Sequence, residues 1–271
     1  MSARPSNIRK ILTNFVSNEI RRVGMENGVL GLSGGVDSSV VAYLAAEALG
    51  PEHVVALIMP YKTSSPESIA DARLVAEETG IRSEEIDITE MADAFLDRFA
   101  QDADPVRRGN VMARMRMIAL FDRSKRENGL VIGTSNKTEL LLGYGTLYGD
   151  LAHGINPMGD LYKTQVKELA RHIGVPERIV KKAPSADLWP DQTDEKDLGF
   201  TYDRVDKLLY LLVDMRYDRK SLVEEGFDEH FMDHVYRIIQ RTQYKRRLPL
   251  IAKVSTRTVD REFRYSRDWG V

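Results

Sequence analysis

Short, unbroken apolar runs alternate with helical patterns through the first two-thirds of the chain, and that alternation leaves few folds open. Gly28–Leu32 (GVLGL), His53–Met59 (HVVALIM), Ile81–Ile88 and Gly129–Gly133 (GLVIG) read as strands. Between and after them, Ser38–Leu49, Pro66–Thr79, Met91–Phe99, Val111–Arg126 and Lys137–Leu142 read as helices. The second strand-to-strand segment is the best punctuated, with Pro66 and Glu67 at its start and Gly80 after its end. Strands that are apolar along their whole length must be covered on both faces, so the pattern predicts an α/β fold, a doubly wound parallel sheet. In such sheets ligands bind beyond the carboxyl ends of the strands. From about Gln165 the pattern turns helical, over Gln165–Ile173, Glu177–Lys182, Tyr202–Met215 and Asp228–Arg241, with Asp187–Asp197 reading as an acidic loop. The expectation is a single domain over 1–271: an α/β core over about 25–185, then a helical and basic part over about 186–271.

Composition removes several chemistries. There are 39 Lys+Arg against 41 Asp+Glu, a formal net charge of −2, and no cysteine. Disulfides, thiolate zinc sites and cysteine nucleophiles are therefore excluded within these 271 residues. The longest apolar stretch, Val40–Ala46, falls far short of the roughly 20 residues that span a bilayer. No targeting segment is legible at either end, so the expected location is the cytoplasm, without membrane attachment. Arg241–Val271 carries nine Lys/Arg against three acidic residues, but aromatics are sparse and no basic helix stripe appears; no nucleic-acid partner is expected.

After the first strand comes Gly31-Leu32-Ser33-Gly34-Gly35-Val36-Asp37-Ser38-Ser39. Its glycines allow a sharp turn and bare N–H groups, Ser33 and Ser38 add hydroxyls, and the next helix presents its positive end, which together suit phosphates. The spacing is neither G-x-x-x-x-G-K-[ST] nor G-x-G-x-x-G. Asp37 would repel a polyphosphate unless a cation lay between them, and one or two carboxylates plus phosphates describe a Mg²⁺ site.

The S-G-G-x-D-S string resembles the signature of the PP-loop ATP pyrophosphatases, which cleave ATP between the α and β phosphates. Val131–Asp150 (VIGTSNKTELLLGYGTLYGD), then INPMGDLYKTQVKELARHIGVP, then KAPSADLWPDQTDEKDLGFTYDRVD, are similar in order to the ammonia-dependent NAD synthetases, over about residues 8–249. The resemblance implies that the nicotinate carboxylate of deamido-NAD is adenylated by ATP, and that ammonia then displaces AMP. It implies Mg²⁺ on Asp37 and Glu139. Gly31, Leu32, Ser33, Gly34, Gly35, Val36, Asp37, Ser38, Thr134, Lys163 and Ser185 match ATP contacts; Arg114 and Lys245 match deamido-NAD contacts. It further implies a homodimer, with the first helix and Val111–Arg126 as candidate faces.

Each residue also has an ordinary explanation. Glu139 could serve only a helix dipole, Lys163 could be a solvated helix-start lysine, and Ser185 could be a turn residue. Arg114 could hold a surface ion pair, with Arg116 beside it in a structural role. Where the common pattern carries a substrate-contacting Lys and a second Asp, this chain has Leu147 and Gly154. Lys62 is the candidate replacement for an arginine before Pro60. Asp150 is the candidate for taking a proton from ammonium. His153 is assigned no metal, and Trp189 is expected to pack under the acidic loop. Without cysteine no glutaminase can act in cis, so the nitrogen comes from free or delivered ammonia. Two alternatives stay open: another PP-loop amidating ligase, or a nucleotide-binding regulator without turnover.

Overall fold

The computed structural model describes residues 4–189, 192–247 and 250–256, so Arg257, Arg261, Arg264 and Arg267 of the basic tail lie outside the described residues. The first helix, α1, covers Pro5–Arg22, followed by β1 (Asn27–Gly31), α2 (Val36–Leu49), β2 (Val54–Ile58), α3 (Pro66–Thr79) and β3 (Arg82–Glu85). Next come α4 (Thr89–Phe99), α5 (Pro105–Arg126), β4 (Gly129–Val131), α6 (Lys137–Leu142), α7 (Lys163–Ile173) and α8 (Glu177–Lys181). The C-terminal part holds α9 (Asp194–Leu198), α10 (Tyr202–Leu209), a π turn over Tyr210–Asp214, α11 (Arg219–Glu224) and α12 (Glu229–Arg241).

The sheet order is β3-β2-β1-β4, and all pairings are parallel, with Val29 opposite Val55 and Leu30 opposite Ala56. Successive strand side chains point to opposite faces, and each face has its own core. Leu30, Val54, Ala56 and Ile58 pack with α1, α2, α3 and α7, whereas Val29, Val55, Leu57 and Met59 pack with α4 and α5. Helix α2 is enclosed on nearly all sides, as its Ala, Val and Leu content requires. A third core, built on Leu142, Val205, Leu208, Leu222, Phe231 and Val235, unites α6 with α10, α11 and α12. No described helix is long and apolar enough to cross a membrane.

The expected strands are all present, but β3 is not apolar. It reads Arg-Ser-Glu-Glu and is largely exposed, because it is an outer strand whose charges pair with Arg73, Arg123 and Arg126 on neighbouring helices. The acidic stretch is also not wholly loop: Thr193 caps the short α9, accepting the Lys196 N–H. The helix expected over Tyr202–Met215 is α-helical only to Leu209.

The strand order reverses around β1, whose chain leaves toward β2 on one side while β4 lies on the other. A crevice opens at such a point between the loops that follow the two strands.

Candidate active site

The loop after β1 is shaped by Gly34, which has φ +78° and lies so close to α3 that a Cβ would sit 2.1 Å from the Ser68 carbonyl oxygen. Only glycine meets both demands. Ser33 and Ser38 hydroxyls lie 3.0 Å apart, the Ser33 hydroxyl accepts the Gly35 N–H at 3.3 Å, and the Ser39 hydroxyl donates to the Gly35 carbonyl at 2.8 Å. The loop is thus pinned by its own serines at the start of α2, which carries Asp37 in its first turn.

The loop after β4 supplies the opposing wall. Asn136 and Glu139 form a capping box: Asn136 Oδ1 accepts the Glu139 N–H at 3.0 Å, and Glu139 Oε2 accepts the Asn136 N–H at 3.2 Å. The same Asn136 side chain, fully buried, donates through Nδ2 to Asp37 Oδ1 at 2.9 Å. Asn136 therefore ties the two loops across the crevice. It had not been singled out in the sequence, although N-x-x-E before an apolar run was its visible signal.

Lys163, the first residue of α7, enters from a third element. Its side chain is 3% exposed, and Nζ lies 2.5 Å from Asp37 Oδ2 and 3.3 Å from Glu139 Oε1. The ammonium sits 5.2 Å from the centroid of the Tyr202 ring. Burial lowers the lysine's affinity for its proton, but Asp37, Glu139 and Asp194 outweigh burial and hold it charged, with its pKa above the usual value. Burial pushes the Glu139 carboxyl upward, Lys163 opposes this, and Asp37 and Asp194 add to it. Asp194 itself is buried and accepts from the hydroxyls of Tyr202 at 2.9 Å and Tyr144 at 3.1 Å. The sequence reads Asp194 only as part of an acidic loop; its burial follows from two tyrosines that need acceptors.

One ammonium thus faces two carboxylates directly, with a third nearby. Three carboxyl groups crowd the mouth of a phosphate-binding loop, and burial raises the pKa of both Glu139 and Asp194. Among the described residues, no group of three or more His, Asp or Glu is arranged to hold a metal ion. Magnesium seldom uses such a cage, taking one or two carboxylates plus substrate phosphates, so Asp37 and Glu139 fit it by donor type and by their convergence on one point.

The remaining sequence candidates are placed as follows. Thr134 lies half-buried just beyond β4. Ser185 is exposed, and its hydroxyl accepts the Asp187 N–H at 3.0 Å, a turn role. Arg114 is exposed, donates to the Leu147 carbonyl at 3.2 Å and lines a cavity of about 320 Å³ with Phe95, Arg107 and Asn110. Arg116 donates to the Met59 carbonyl at 3.0 Å, holding the end of β2. Lys245 is half-buried and donates to the carbonyls of Gly143 and Gly145 at 2.9 and 2.7 Å. Lys62 pairs with Asp93 at 2.5 Å. Asp150 Oδ1 accepts the Thr146 N–H at 2.8 Å. Trp189 is half-buried. His153 has a buried, unpartnered Nδ1, and its ring lies where a Cβ on Gly133 would be, 2.5 Å away.

A parallel sheet with a pinned glycine-serine loop and charged groups converging at its switch point defines a nucleotide-binding α/β protein. Known proteins sharpen that class. The NAD synthase family model matches residues 8–249, and the chain belongs to that family. The NH(3)-dependent NAD(+) synthetase of Trichlorobacter lovleyi is 59% identical over 263 residues, covering 97% of this chain and 96% of the relative. Among solved structures, NH3-dependent NAD synthetase from Campylobacter jejuni superposes with a TM-score of 0.80 at 33% identity, over 93% of this chain and all (100%) of the other. NMN synthetase from Francisella tularensis gives 0.83 at 33% identity, over 93% and 99%.

Proposed function

We propose that this chain is an ammonia-dependent NAD synthetase, a ligase that forms a C–N bond in two steps on one site. The observation that carries the mechanism is the buried Lys163 ammonium held between Asp37 and Glu139 at the mouth of the Gly31–Ser38 loop. In the first step a carboxylate oxygen of deamido-NAD attacks the α-phosphorus of ATP. The bond to the β-phosphate oxygen breaks, and its electron pair leaves with pyrophosphate. Lys163 stands as the fixed charge for that departing oxygen, pre-oriented by its carboxylates and free of reorganisation at the moment of reaction. Asp37 and Glu139 are the residues that would hold Mg²⁺, which when bound neutralises phosphate charge.

The ATP set comprises the Gly31–Ser38 loop, Thr134, Lys163 and Ser185. For Ser185 to take part, its hydroxyl must donate while accepting the Asp187 N–H, which a hydroxyl can do. In the second step ammonia attacks the acyl carbon and AMP leaves, with one proton released. Asp150 is the proposed acceptor of ammonium's proton. Arg114 and Lys245 are the proposed deamido-NAD contacts. Lys245 would have to exchange backbone carbonyls for phosphate to serve there.

Two copies are proposed to pair through α1 and the Val111–Arg126 part of α5, which leave Ile11, Ile118 and Phe121 exposed. Sedimentation of the purified protein checks this. The site is proposed to work on cytoplasmic substrates as one domain with its helical lobe.

The deciding experiment supplies ATP, Mg²⁺, deamido-NAD and ammonium and follows NAD, AMP and pyrophosphate, expected in equal amounts. Glutamine in place of ammonium is expected to give none, because the chain has no cysteine. Asp37→Ala and Glu139→Ala are each expected to lower turnover at least about 100-fold. A parallel arm supplies nicotinate mononucleotide, since one structural relative is an NMN synthetase. Folded protein that makes NAD in none of these mixtures overturns the proposal.

A further inference from the structure

Helix α10 carries an acidic residue on its apolar face. Tyr202, Val205, Asp206 and Leu209 share one side of the helix, and all are buried, Asp206 at 2% exposure. A carboxylate placed there is costly unless both oxygens are matched. Both are. Asp206 Oδ1 accepts the Thr138 hydroxyl at 2.5 Å, and Oδ2 accepts the Thr164 N–H at 2.8 Å. Thr138 Oγ1 in turn accepts the Lys163 N–H at 3.0 Å. A threonine has a single hydroxyl proton, and committing it to Asp206 turns a lone pair toward Lys163.

A second acidic residue on the same run repeats the arrangement. Asp214, at the end of the π turn, accepts from Lys137 Nζ at 2.8 Å and from the Tyr162 hydroxyl at 2.5 Å. In an unbroken α-helix, eight residues overshoot two full turns by about 80°. The slower winding of i→i+5 bonding reduces that overshoot, so the π turn brings Asp214 back toward the side that Asp206 occupies. The partners of the two acids, residues 137, 138, 162 and 164, lie within two residues of Glu139 or Lys163 in the chain.

We propose that Asp206 is a positioning residue of the active site: acting through Thr138 and Thr164, it fixes the starts of α6 and α7 so that Glu139 and Lys163 meet Asp37, and Asp214 makes a second hold on the same two helix starts. The proposal rests on the synthetase reading of that site. It gives the C-terminal helices a task in the reaction without any contact to substrate.

The test compares Thr138→Val, Thr138→Ser and Asp206→Asn with the native protein, per mole of folded enzyme. Thr138→Val and Asp206→Asn are each expected to lower kcat about 10- to 100-fold, the scale for a small displacement of reacting groups, with KM for ATP changed less than about threefold. Thr138→Ser keeps the hydroxyl and is expected to restore most of kcat. The Thr138→Val/Asp206→Asn pair is expected to lose little more than either alone, because both break one chain of bonds. Hydrogen exchange at the Lys163 and Thr164 amides reads the hold without reference to activity and is expected to quicken in Thr138→Val and Asp206→Asn. If the folded fraction of these variants turns over at the native rate, or if Thr138→Ser is as impaired as Thr138→Val, Asp206 serves packing alone. Unchanged exchange at both amides also overturns it. Failure of the native protein to make NAD counts against the synthetase proposal, and the exchange measurement then still decides the role of Asp206.

Discussion

Replacing Lys163 by Met tests the electrostatic account most directly. Methionine keeps the length and most of the volume of the side chain, so packing beside Tyr202 is preserved while the charge is removed. Asp37 and Glu139 then face each other with no cation at 2.5 and 3.3 Å, in a spot where the lysine side chain is only 3% exposed. Removing one partner of a buried ion pair destabilises by about 3–5 kcal/mol, since the opposite charge stays behind unmatched. For a chain of this size, that is a drop in Tm on the order of 10 °C. The informative variant is the double one, Lys163→Met with Glu139→Gln. Glutamine can keep the capping contact to the Asn136 N–H and is neutral at every pH, whereas burial raises the Glu139 carboxyl to about 8 and its charge is stranded only above that. The double variant should therefore melt above the single one in alkaline buffer, even though it carries one more change at the same site. Thermal melts followed by circular dichroism, in buffer with a chelator, make the comparison. NAD formation should fall by about 100- to 1,000-fold in both, the scale for losing one pre-oriented charge at a transition state. If the single variant melts within about 2 °C of the native chain, or the two changes simply add, the lysine is not the counter-charge of this pair.

Gly34→Ala should destabilise by at least about 1–3 kcal/mol from its left-handed backbone alone, with the Ser68 carbonyl clash in addition; chemical denaturation reads this directly. Glu84 has its pKa lowered by its hydrogen bonds to Arg123 and then Arg126, so its ion pairs stabilise the fold above the unfolded carboxylate pKa of about 4.3 and lose that contribution as pH falls through the lower folded value. Glu84→Gln should be less stable than the native chain at pH 7 by no more than about 1 kcal/mol, with the gap closing in acid; a gap that widens in acid contradicts the sign. Asp150→Asn should lower kcat/KM for ammonium and shift its pH dependence, and an unchanged ammonium profile would remove Asp150 from the reaction.

Much of the fold was written in apolar continuity. The strands β1 and β2 are apolar because helices cover both of their faces, and α3 begins and ends where Pro66 and Gly80 set its limits. The same logic misjudged β3, whose outward row is charged and whose identity depends on β2 beside it. The resemblance implies that Asp37 and Glu139 share one metal; the direct pairing of Lys163 with both was not legible, because it joins three elements up to 126 residues apart. Asn136 and Asp194 were missed for a related reason: each is explained by partners that sequence order keeps distant. Asp206 did leave a trace, a carboxylate at the spacing of Tyr202, Val205 and Leu209 on an otherwise apolar stripe. The change from α to π winding at Tyr210 left none, since apolar periodicity is too coarse to separate the two over five residues.

The charged row on β3 also governs how the molecule meets copies of itself. An outer strand offers unpaired N–H and C=O groups that any passing chain can extend, which is how fibres begin. Here a second β3 would arrive with its own Arg82, Glu84 and Glu85, whose side chains are already paired with Glu127, Arg123 and Arg73 of their own molecule. Strand addition would have to break those pairs on both sides before gaining a backbone bond. On the opposite side, Ile132 already bridges Ile155, so that margin is partly closed by the chain's own continuation. Growth of the sheet is discouraged in both directions.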